Sequence, residues 1–174
     1  AKKAKPGQFI ILRVNAEGER IPLTVAGTNP EEGTVKIIFQ IVGGTTELLN
    51  HVNEGEAIQD FVGPLGVPTH IEGKKRVCVV GGGVGCAIAM PIAQALHAQG
   101  THVTSIIGFR SKDIVILEDE FKACSDVLHV MTDDGSYARQ GNVCVPLNEM
   151  LAAGETFDEI ITIGPLIMMK FVVA

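Results

Sequence analysis

The chain is 174 residues long, which accommodates one domain or two small ones, and its 46% hydrophobic content is enough to build a packed core. A formal net charge of −6, from 20 acidic against 14 basic residues, excludes a generic polyanion-binding surface, so nucleic acid is not an expected partner. The longest apolar stretch, Ile160 to Met169, is interrupted by Gly164 and Pro165 and is too short for a membrane-spanning helix; with no secretory signal at its start, the chain reads as soluble and cytoplasmic.

From Gly7 to about Ile71, short segments rich in Val, Ile, Phe and Thr alternate with turn-formers. The expected strands are Gln8 to Val14, Arg20 to Ala26, Thr34 to Val42 and Ala57 to Val62, with turns at Asn15 to Gly18 and Asn29 to Gly33. This spacing predicts an antiparallel sheet or barrel. Within the second segment, Arg20 precedes Thr24 by four residues. An Arg can neutralise a pyrophosphate and a Thr hydroxyl can bond a ring nitrogen, but a plain strand with a surface Arg fits the segment better on its own. After the third segment, Gly43-Gly44-Thr45-Thr46-Glu47 reads as a loop and helix start, where Thr45 or Thr46 serves as cap. Leu48, Leu49 and Val52 then share a helical face.

After Glu72-Gly73-Lys74-Lys75 the pattern changes, which places a boundary between residues 72 and 73. Apolar strands now alternate with helices: strand Arg76 to Val80, helix Cys86 to Gln99, strand His102 to Ile107, helix Leu117 to Ser125, strand Val127 to Met131, helix Val145 to Ala153 and strand Glu159 to Ile163. Such apolar strands joined by helical crossovers predict a doubly wound parallel α/β domain. The run Val79-Val80-Gly81-Gly82-Gly83-Val84-Gly85 carries a strand into a glycine-rich turn and a helix, the form that brings backbone N–H groups to a pyrophosphate. Its spacing departs from GxGxxG, because Cys86 occupies the third glycine position. Gly108-Phe109-Arg110, Thr132-Asp133-Asp134-Gly135-Ser136 and Gly164-Pro165-Leu166-Ile167-Met168 also follow strands. All four loops therefore fall at the carboxyl edge, where open α/β sheets bind ligands; an Asp-stabilised turn is the alternative for 132–136.

The remaining reactive residues form no constellation. Cys78, Cys86, Cys124 and Cys144 make no CxxC pair, and His51, His70, His97, His102 and His129 show no ligand spacing, so no metal site is expected in these residues. Glu118-Asp119-Glu120 reads as the acidic first turn of a helix.

In order, RIPLTVA, VGGTTELL, GPLG at 63–66, VVGGGVG, GFRSKD, ILEDEF, TDDGS and IGPLIMMK resemble the ferredoxin–NADP reductase superfamily across nearly the whole chain. The last two are most similar to its small electron-transfer subunits, those of NADH-dependent reduced ferredoxin:NADP oxidoreductase (the sulfide dehydrogenase type) and of dihydroorotate dehydrogenase. The resemblance implies an FAD-binding β-barrel over residues 1–72 and an NAD(P)-binding α/β domain over 73–174. It implies that Arg20, Pro22, Leu23, Thr24 and Val25 line the flavin, with Thr24 at N5 as the contact bearing on catalysis. Ile38, Phe39, Gln40, Gly43, Thr45 and Thr46 would follow its adenosine diphosphate. Gly81, Gly83, Val84, Gly85, Gly108, Arg110, Asp134, Gly135, Gly164, Pro165 and Met168 would form the nicotinamide-dinucleotide cleft, with NADH favoured over NADPH.

Two departures stand out: the superfamily's RxYS places Arg three residues before the hydroxyl and has an aromatic where Leu23 stands, and Ile163 replaces the Cys of a CGP motif. The first barrel strands and a C-terminal cysteine-rich [2Fe-2S] segment are expected outside these residues. The implied function is an FAD-dependent NAD(P)H oxidoreductase subunit that passes electrons through the cluster. Its partner would be a larger subunit, the ferredoxin:NADP oxidoreductase beta subunit or the dihydroorotate dehydrogenase catalytic subunit, with ferredoxin a further candidate. The alternatives are a non-catalytic NAD(H)-binding redox sensor and a single-cofactor dehydrogenase, the latter disfavoured by the lack of an acid–base constellation.

Overall fold

Two stretches of sequence with different hydrophobic periods give two separate sheets. The computed structural model describes all 174 residues, and the chain divides into Ala1–Thr69 and His70–Ala174. In the first unit, β1 (Phe9–Arg13), β2 (Ile21–Asn29), β3 (Thr34–Ile37) and β4 (Asp60–Leu65) form an antiparallel sheet in the order β3-β2-β1-β4, with α1 (Gly44–Asn50) between β3 and β4. Alternation along β1 and β2 buries Ile10, Leu12 and Val25, against which Ile21, Leu23 and Val35 pack. The β2–β3 turn is fixed by Asn29, whose Oδ1 accepts from the N–H groups of Glu31 and Glu32 at 3.1 and 3.3 Å.

The third strand is shorter than the Thr34–Val42 expected. Its pairing with β2 ends at Ile37, and at the far end of the expected span the N–H groups of Val42 and Gly43 donate to Thr46 Oγ1, both at 3.0 Å, rather than to a strand. Ile38, Phe39 and Gln40 consequently lie in irregular backbone. The fourth strand begins three residues later than the expected Ala57, and its Pro64 is tolerated because β4 is an edge strand.

The second unit runs β5 (Arg76–Gly82), α2 (Cys86–Ala98), β6 (His102–Phe109), α3 (Glu118–Ala123), β7 (Val127–Thr132), β8 (Arg139–Gln140), α4 (Cys144–Ala152), β9 (Glu159–Ile163) and α5 (Leu166–Val172). Its five strands are all parallel, in the order β8-β7-β6-β5-β9. Val77, Val79, Val103 and Ile107 face α2 and α3, packing on Ala89, Ile92, Leu96 and Phe121. Cys78, Val80, Ile106 and Met131 face the opposite side, on Leu147, Met150, Met168 and Val172. Both sheet faces are thus covered, which explains why β5 is apolar without alternation and why Val103 to Ile107 of β6 are buried without a break. In place of a loop over Gly164 to Met169 the chain turns into α5 immediately after Pro165, and the short β8 adds a strand that the hydrophobic pattern does not predict.

Carboxylates close the amino edge of this sheet. Asp158 Oδ2 accepts from the N–H groups of Lys75 and Arg76 at 2.6 and 3.0 Å, and Asp126 Oδ2 accepts from Val103 N–H at 2.8 Å. The carboxyl edge carries the glycine-rich loops instead. No helix is long and apolar enough to cross a membrane.

Candidate functional site

The strand order fixes where the second unit can bind a ligand. The chain runs outward from β5 through β6, β7 and β8, then returns to the other side of β5 as β9. Loops leaving the carboxyl ends of β5 and β9 therefore diverge to opposite faces, the position at which open α/β sheets take a ligand in a crevice. The β5 loop is Gly83–Gly85, a single 3-10 turn that runs into α2, and the β9 loop is Gly164-Pro165, which runs into α5.

The glycines of this crevice have different physical reasons. A Cβ on Gly81 would lie 2.9 Å from Cys86 Sγ and 3.2 Å from Cys86 Cα, so this glycine seats α2 on the sheet. A Cβ on Gly85 would lie 2.6 Å from the Ile163 carbonyl oxygen and 2.8 Å from Gly164 Cα, where the two diverging loops touch. On Gly82 it would overlap Met168 Sδ, and on Gly164 it would approach Gly82 Cα at 3.1 Å. Gly83 differs from all of these: its φ is +53°, a left-handed conformation, and nothing lies within 4 Å of an added Cβ. Gly83 is the glycine of the turn that faces open space, with the exposed Val84 beside it.

The two remaining loops are tied to each other. Asp133 N–H donates to the Phe109 carbonyl at 3.0 Å and Asp134 N–H to the Arg110 carbonyl at 3.2 Å. Ser136 donates both its N–H and its hydroxyl to Asp134 Oδ1, at 2.9 and 2.6 Å, and these bonds hold the Asp134 carboxyl below the usual range. Ser136 Oγ also accepts from Lys112 N–H at 2.8 Å. Gly135 takes a φ of +72°, and Gly108 leaves room for Val143, whose Cγ1 would lie 2.5 Å from a Cβ there. The crevice-edge residues Gly108, Arg110, Asp134 and Gly135 thus stand on two mutually braced loops. The thiol of Cys86, at the foot of α2, is pushed up to about 12 by burial, which disfavours its thiolate.

In the first unit, cross-strand register gives β1 and β2 a second face. Thr24 lies opposite Phe9, Pro22 and Val62 lie opposite Ile11, and Asp60 lies opposite Arg13, so these residues share the side away from Ile10, Leu12 and Val25. Leu23 and Val25 point into the core instead. No hydrogen bond within the chain engages the Thr24 hydroxyl. Arg20 Nη2 sits 2.9 Å from Asp60 Oδ2 and Arg13 Nε sits 2.7 Å from the same oxygen. Two guanidinium groups thus share one carboxylate and carry a net positive charge. Arg13 was not among the residues read from the sequence, although its two-residue spacing from Ile11 and Phe9 put it on this face.

Neither threonine expected as the α1 cap holds that position: the cap is Gly43, and Thr46, the third helical residue, reaches back to its backbone. The Thr46 hydroxyl accepts from Val42 and Gly43 and donates to the Gly43 carbonyl at 2.8 Å, so it is fully occupied within the loop. Thr45 is half-buried, and Gly43 and Gly44 have nothing within 4 Å of an added Cβ. Ile38 and Phe39 are half-buried and Gln40 is exposed. No group of three or more His, Cys, Asp or Glu side chains stands together to hold a metal ion, and all four cysteines are free thiols.

No protein-family model matches the chain. It is 48% identical over 171 residues to the dihydroorotate dehydrogenase B (NAD(+)) electron transfer subunit homolog of Thermotoga maritima, with 98% of this chain and 60% of that protein covered. It is 32% identical over 173 residues to the dihydroorotate dehydrogenase B (NAD(+)) electron transfer subunit of Streptococcus pneumoniae, with 97% of this chain and 67% of that protein covered. A solved structure described as giving insights into flavin-based electron bifurcation via the NADH-dependent reduced ferredoxin-NADP oxidoreductase structure is 47% identical. It matches with a TM-score of 0.88 over 98% of this chain and 61% of its own. The chain therefore spans about 60% of the length of the first of these relatives.

Proposed function

The chain belongs to the family of dihydroorotate dehydrogenase B electron transfer subunits, and from that premise we propose that it takes electrons from NADH onto FAD and passes them to a larger redox subunit. The observation that carries the reading is the crevice at the switch point. There Gly85 and Gly164 bring two diverging loops into contact, while Gly83 leaves the turn before α2 open.

In this reading the second unit holds the dinucleotide. The backbone N–H groups of Gly83, Val84 and Gly85 face its pyrophosphate, helped by the partial positive charge at the start of α2, a 13-residue helix. Gly81 and Gly82 keep that turn close to the sheet, and Gly164, Pro165 and Met168 form the wall against which the nicotinamide end lies. Gly108, Arg110, Asp134 and Gly135 border the adenosine end, as the ends of later strands do in this topology.

The first unit holds the flavin. Its outer face offers half-buried apolar surface from Phe9 and Ile11, exposed Pro22 and Val62, an unengaged hydroxyl on Thr24, and the shared cationic charge of Arg13 and Arg20. This donor set suits a flat ring with a hydrogen-bonding edge and a diphosphate tail. Thr24 orients the ring at N5, and Arg20 contributes charge to the tail jointly with Arg13. Leu23 and Val25 support the strand from behind, and Ile38, Phe39, Gln40, Gly43 and Thr45 border the adenosine portion. Thr46 acts indirectly, by fixing the backbone of Val42 and Gly43. The flavin, when bound, supplies the ability to accept a hydride and release electrons singly. The chain's own contribution is to bind, orient and shield.

Cysteine ligands for a [2Fe-2S] cluster are proposed to lie outside these 174 residues, on the path to the partner, which is a dihydroorotate-oxidising subunit or the beta subunit of a ferredoxin:NADP oxidoreductase. Purified protein is titrated separately with FAD and NADH by calorimetry, and then with NADH anaerobically after FAD loading. Binding of both and bleaching of the flavin absorbance are expected. Binding of NADH with no FAD uptake would instead support a dinucleotide-sensing module and overturn the electron-transfer reading.

A further inference from the structure

The rim that borders the adenosine end carries more charge than the dinucleotide reading uses, and the structure ties up part of it. Five charged side chains stand on the two braced loops: Arg110, Lys112 and Asp113 after β6, and Asp133 and Asp134 after β7. Two basic residues at the end of a second strand would ordinarily mark a pocket for a ribose 2′-phosphate, and an acidic one a ribose 2′-hydroxyl. The sequence leaves both possibilities on this rim.

Tyr137, the one tyrosine of the chain, decides between them. The Lys112 ammonium lies over its ring, 5.5 Å from the centroid, and the Lys112 N–H is held by Ser136 Oγ at 2.8 Å. The ring is itself fixed at both ends. Its phenol donates to Glu118 Oε1 at 3.2 Å, at the start of α3. Its backbone N–H donates to Thr132 Oγ1 at 3.2 Å, while the Thr132 hydroxyl donates back to the Tyr137 carbonyl at 2.5 Å. Thr132 is buried at the end of β7, so the anchor is part of the sheet. With Lys112 held on the ring, Arg110 is the one cation left on a rim that also carries the exposed carboxylates of Asp113, Asp133 and Asp134.

We propose that Tyr137 is a specificity-positioning residue: by keeping Lys112 on its ring it denies that ammonium to a ribose 2′-phosphate, so the crevice favours the dinucleotide that carries a 2′-hydroxyl. This rests on the dinucleotide reading of the same crevice. A 2′-phosphate brought to the rim meets three carboxylates and one guanidinium, whereas a 2′-hydroxyl donates to a carboxylate without repulsion.

The test measures the affinities of the purified protein for NADH and NADPH, by nucleotide fluorescence and calorimetry, in four forms: wild type, Tyr137→Phe, Tyr137→Leu and Tyr137→Leu with Lys112→Met. Wild type should bind NADH more tightly. Tyr137→Phe keeps the ring under Lys112 and should keep the ratio. Tyr137→Leu should narrow the ratio about two- to fivefold, the weight of one exposed cation–π contact, through tighter NADPH binding with NADH nearly unchanged. Lys112→Met in that background should restore the wild-type ratio. An unchanged ratio in Tyr137→Leu, or a changed one that survives loss of Lys112, overturns the proposal. Failure of wild type to bind either dinucleotide overturns the crevice reading itself and the proposal with it, and Tyr137→Phe separates both results from misfolding.

Discussion

The two glycines that flank Val84 should respond to alanine in opposite ways. At Gly85 an added Cβ meets the Ile163 carbonyl oxygen at 2.6 Å, Gly164 Cα at 2.8 Å and Gly164 N at 3.0 Å. All three are backbone atoms, so relief requires moving the start of α2 away from the end of β9. Overpacking of this kind costs about 1–3 kcal/mol, and the upper end applies here because no flexible side chain can give way. For a unit of about a hundred residues, that lowers the thermal midpoint by roughly 10–20 °C. At Gly83 nothing obstructs the methyl, and the cost is the left-handed backbone alone, about 1 kcal/mol or a little more. Circular dichroism at 222 nm reports this unit, because α2 to α5 belong to it and only the short α1 does not. The expected result is a large fall in midpoint for Gly85→Ala and a small one for Gly83→Ala. Only the second methyl projects into the open space over the turn, so Gly83→Ala should weaken NADH binding about tenfold or more while the fold survives. A Gly85→Ala variant as stable as wild type would refute the close approach of the two loops. A Gly83→Ala variant with unaltered NADH affinity would refute the turn as the pyrophosphate cradle.

Gly82→Ala displaces the side chain of Met168 rather than backbone, so it should cost about 1–2 kcal/mol alone and much less in combination with Met168→Ala; urea unfolding of the four-member cycle reads the coupling, and strict additivity would rule out the contact. Burial pushes the thiols of Cys78 and Cys86 up to about 12, so alkylation at pH 8 should modify Cys144 first and reach these two only on unfolding, as peptide mapping against time would show. Asp158 accepts from the N–H groups of Arg76 and Lys75, which lowers its carboxyl below the usual value. Its contribution is therefore present above the unfolded pKa and lost as pH falls through the native one. The urea midpoint of wild type should exceed that of Asp158→Ala by a constant margin above pH 5 and converge with it below about pH 4, and a margin independent of pH down to 2 would exclude the carboxylate as its source.

How much of this was legible in the sequence depended on whether the signal was local. Short runs rich in β-branched residues such as Val77 to Val80 and Val103 to Ile107, each bounded by a glycine turn, read as strands, and the helices between them follow the 3.6 period, so the α/β unit reads directly from the pattern. In the first unit, the apolar pattern of Thr34–Val42 runs past the end of β3 at Ile37, and hydrophobicity does not register that Thr46 takes the N–H groups of Val42 and Gly43. Helix α5 was hidden for a related reason. Gly164 and Pro165 are loop signals, yet Pro165 stands just ahead of the first helical residue, a place where its missing N–H costs nothing. The sharing of Asp60 by Arg13 and Arg20 needed the register of β1 against β4, which no single strand contains.

The glycine-rich turn shows why spacing alone misleads. Measured against GxGxxG, the Cys at position 86 reads as a loss of the residue that lets helix and strand pack closely. The structure meets that requirement differently. Helix and strand approach at Gly81, where the neighbour is Cys86 itself, its Sγ 2.9 Å and its Cα 3.2 Å from where a Cβ would stand. The glycine is on the strand and the side chain on the helix, a reversal of the usual assignment. Gly85 is then released from packing against its own strand and serves the contact with Ile163 and Gly164. The number of close approaches is kept while their places change, so the functional content of the motif lies in which backbone surfaces touch. A Cys86→Gly variant should therefore lose stability rather than gain a better motif: it removes a fully buried side chain from the α2 face of the core and adds backbone freedom at the first residue of α2, a combined cost of about 2 kcal/mol. If urea unfolding found Cys86→Gly as stable as wild type, the reversed packing would have no energetic weight.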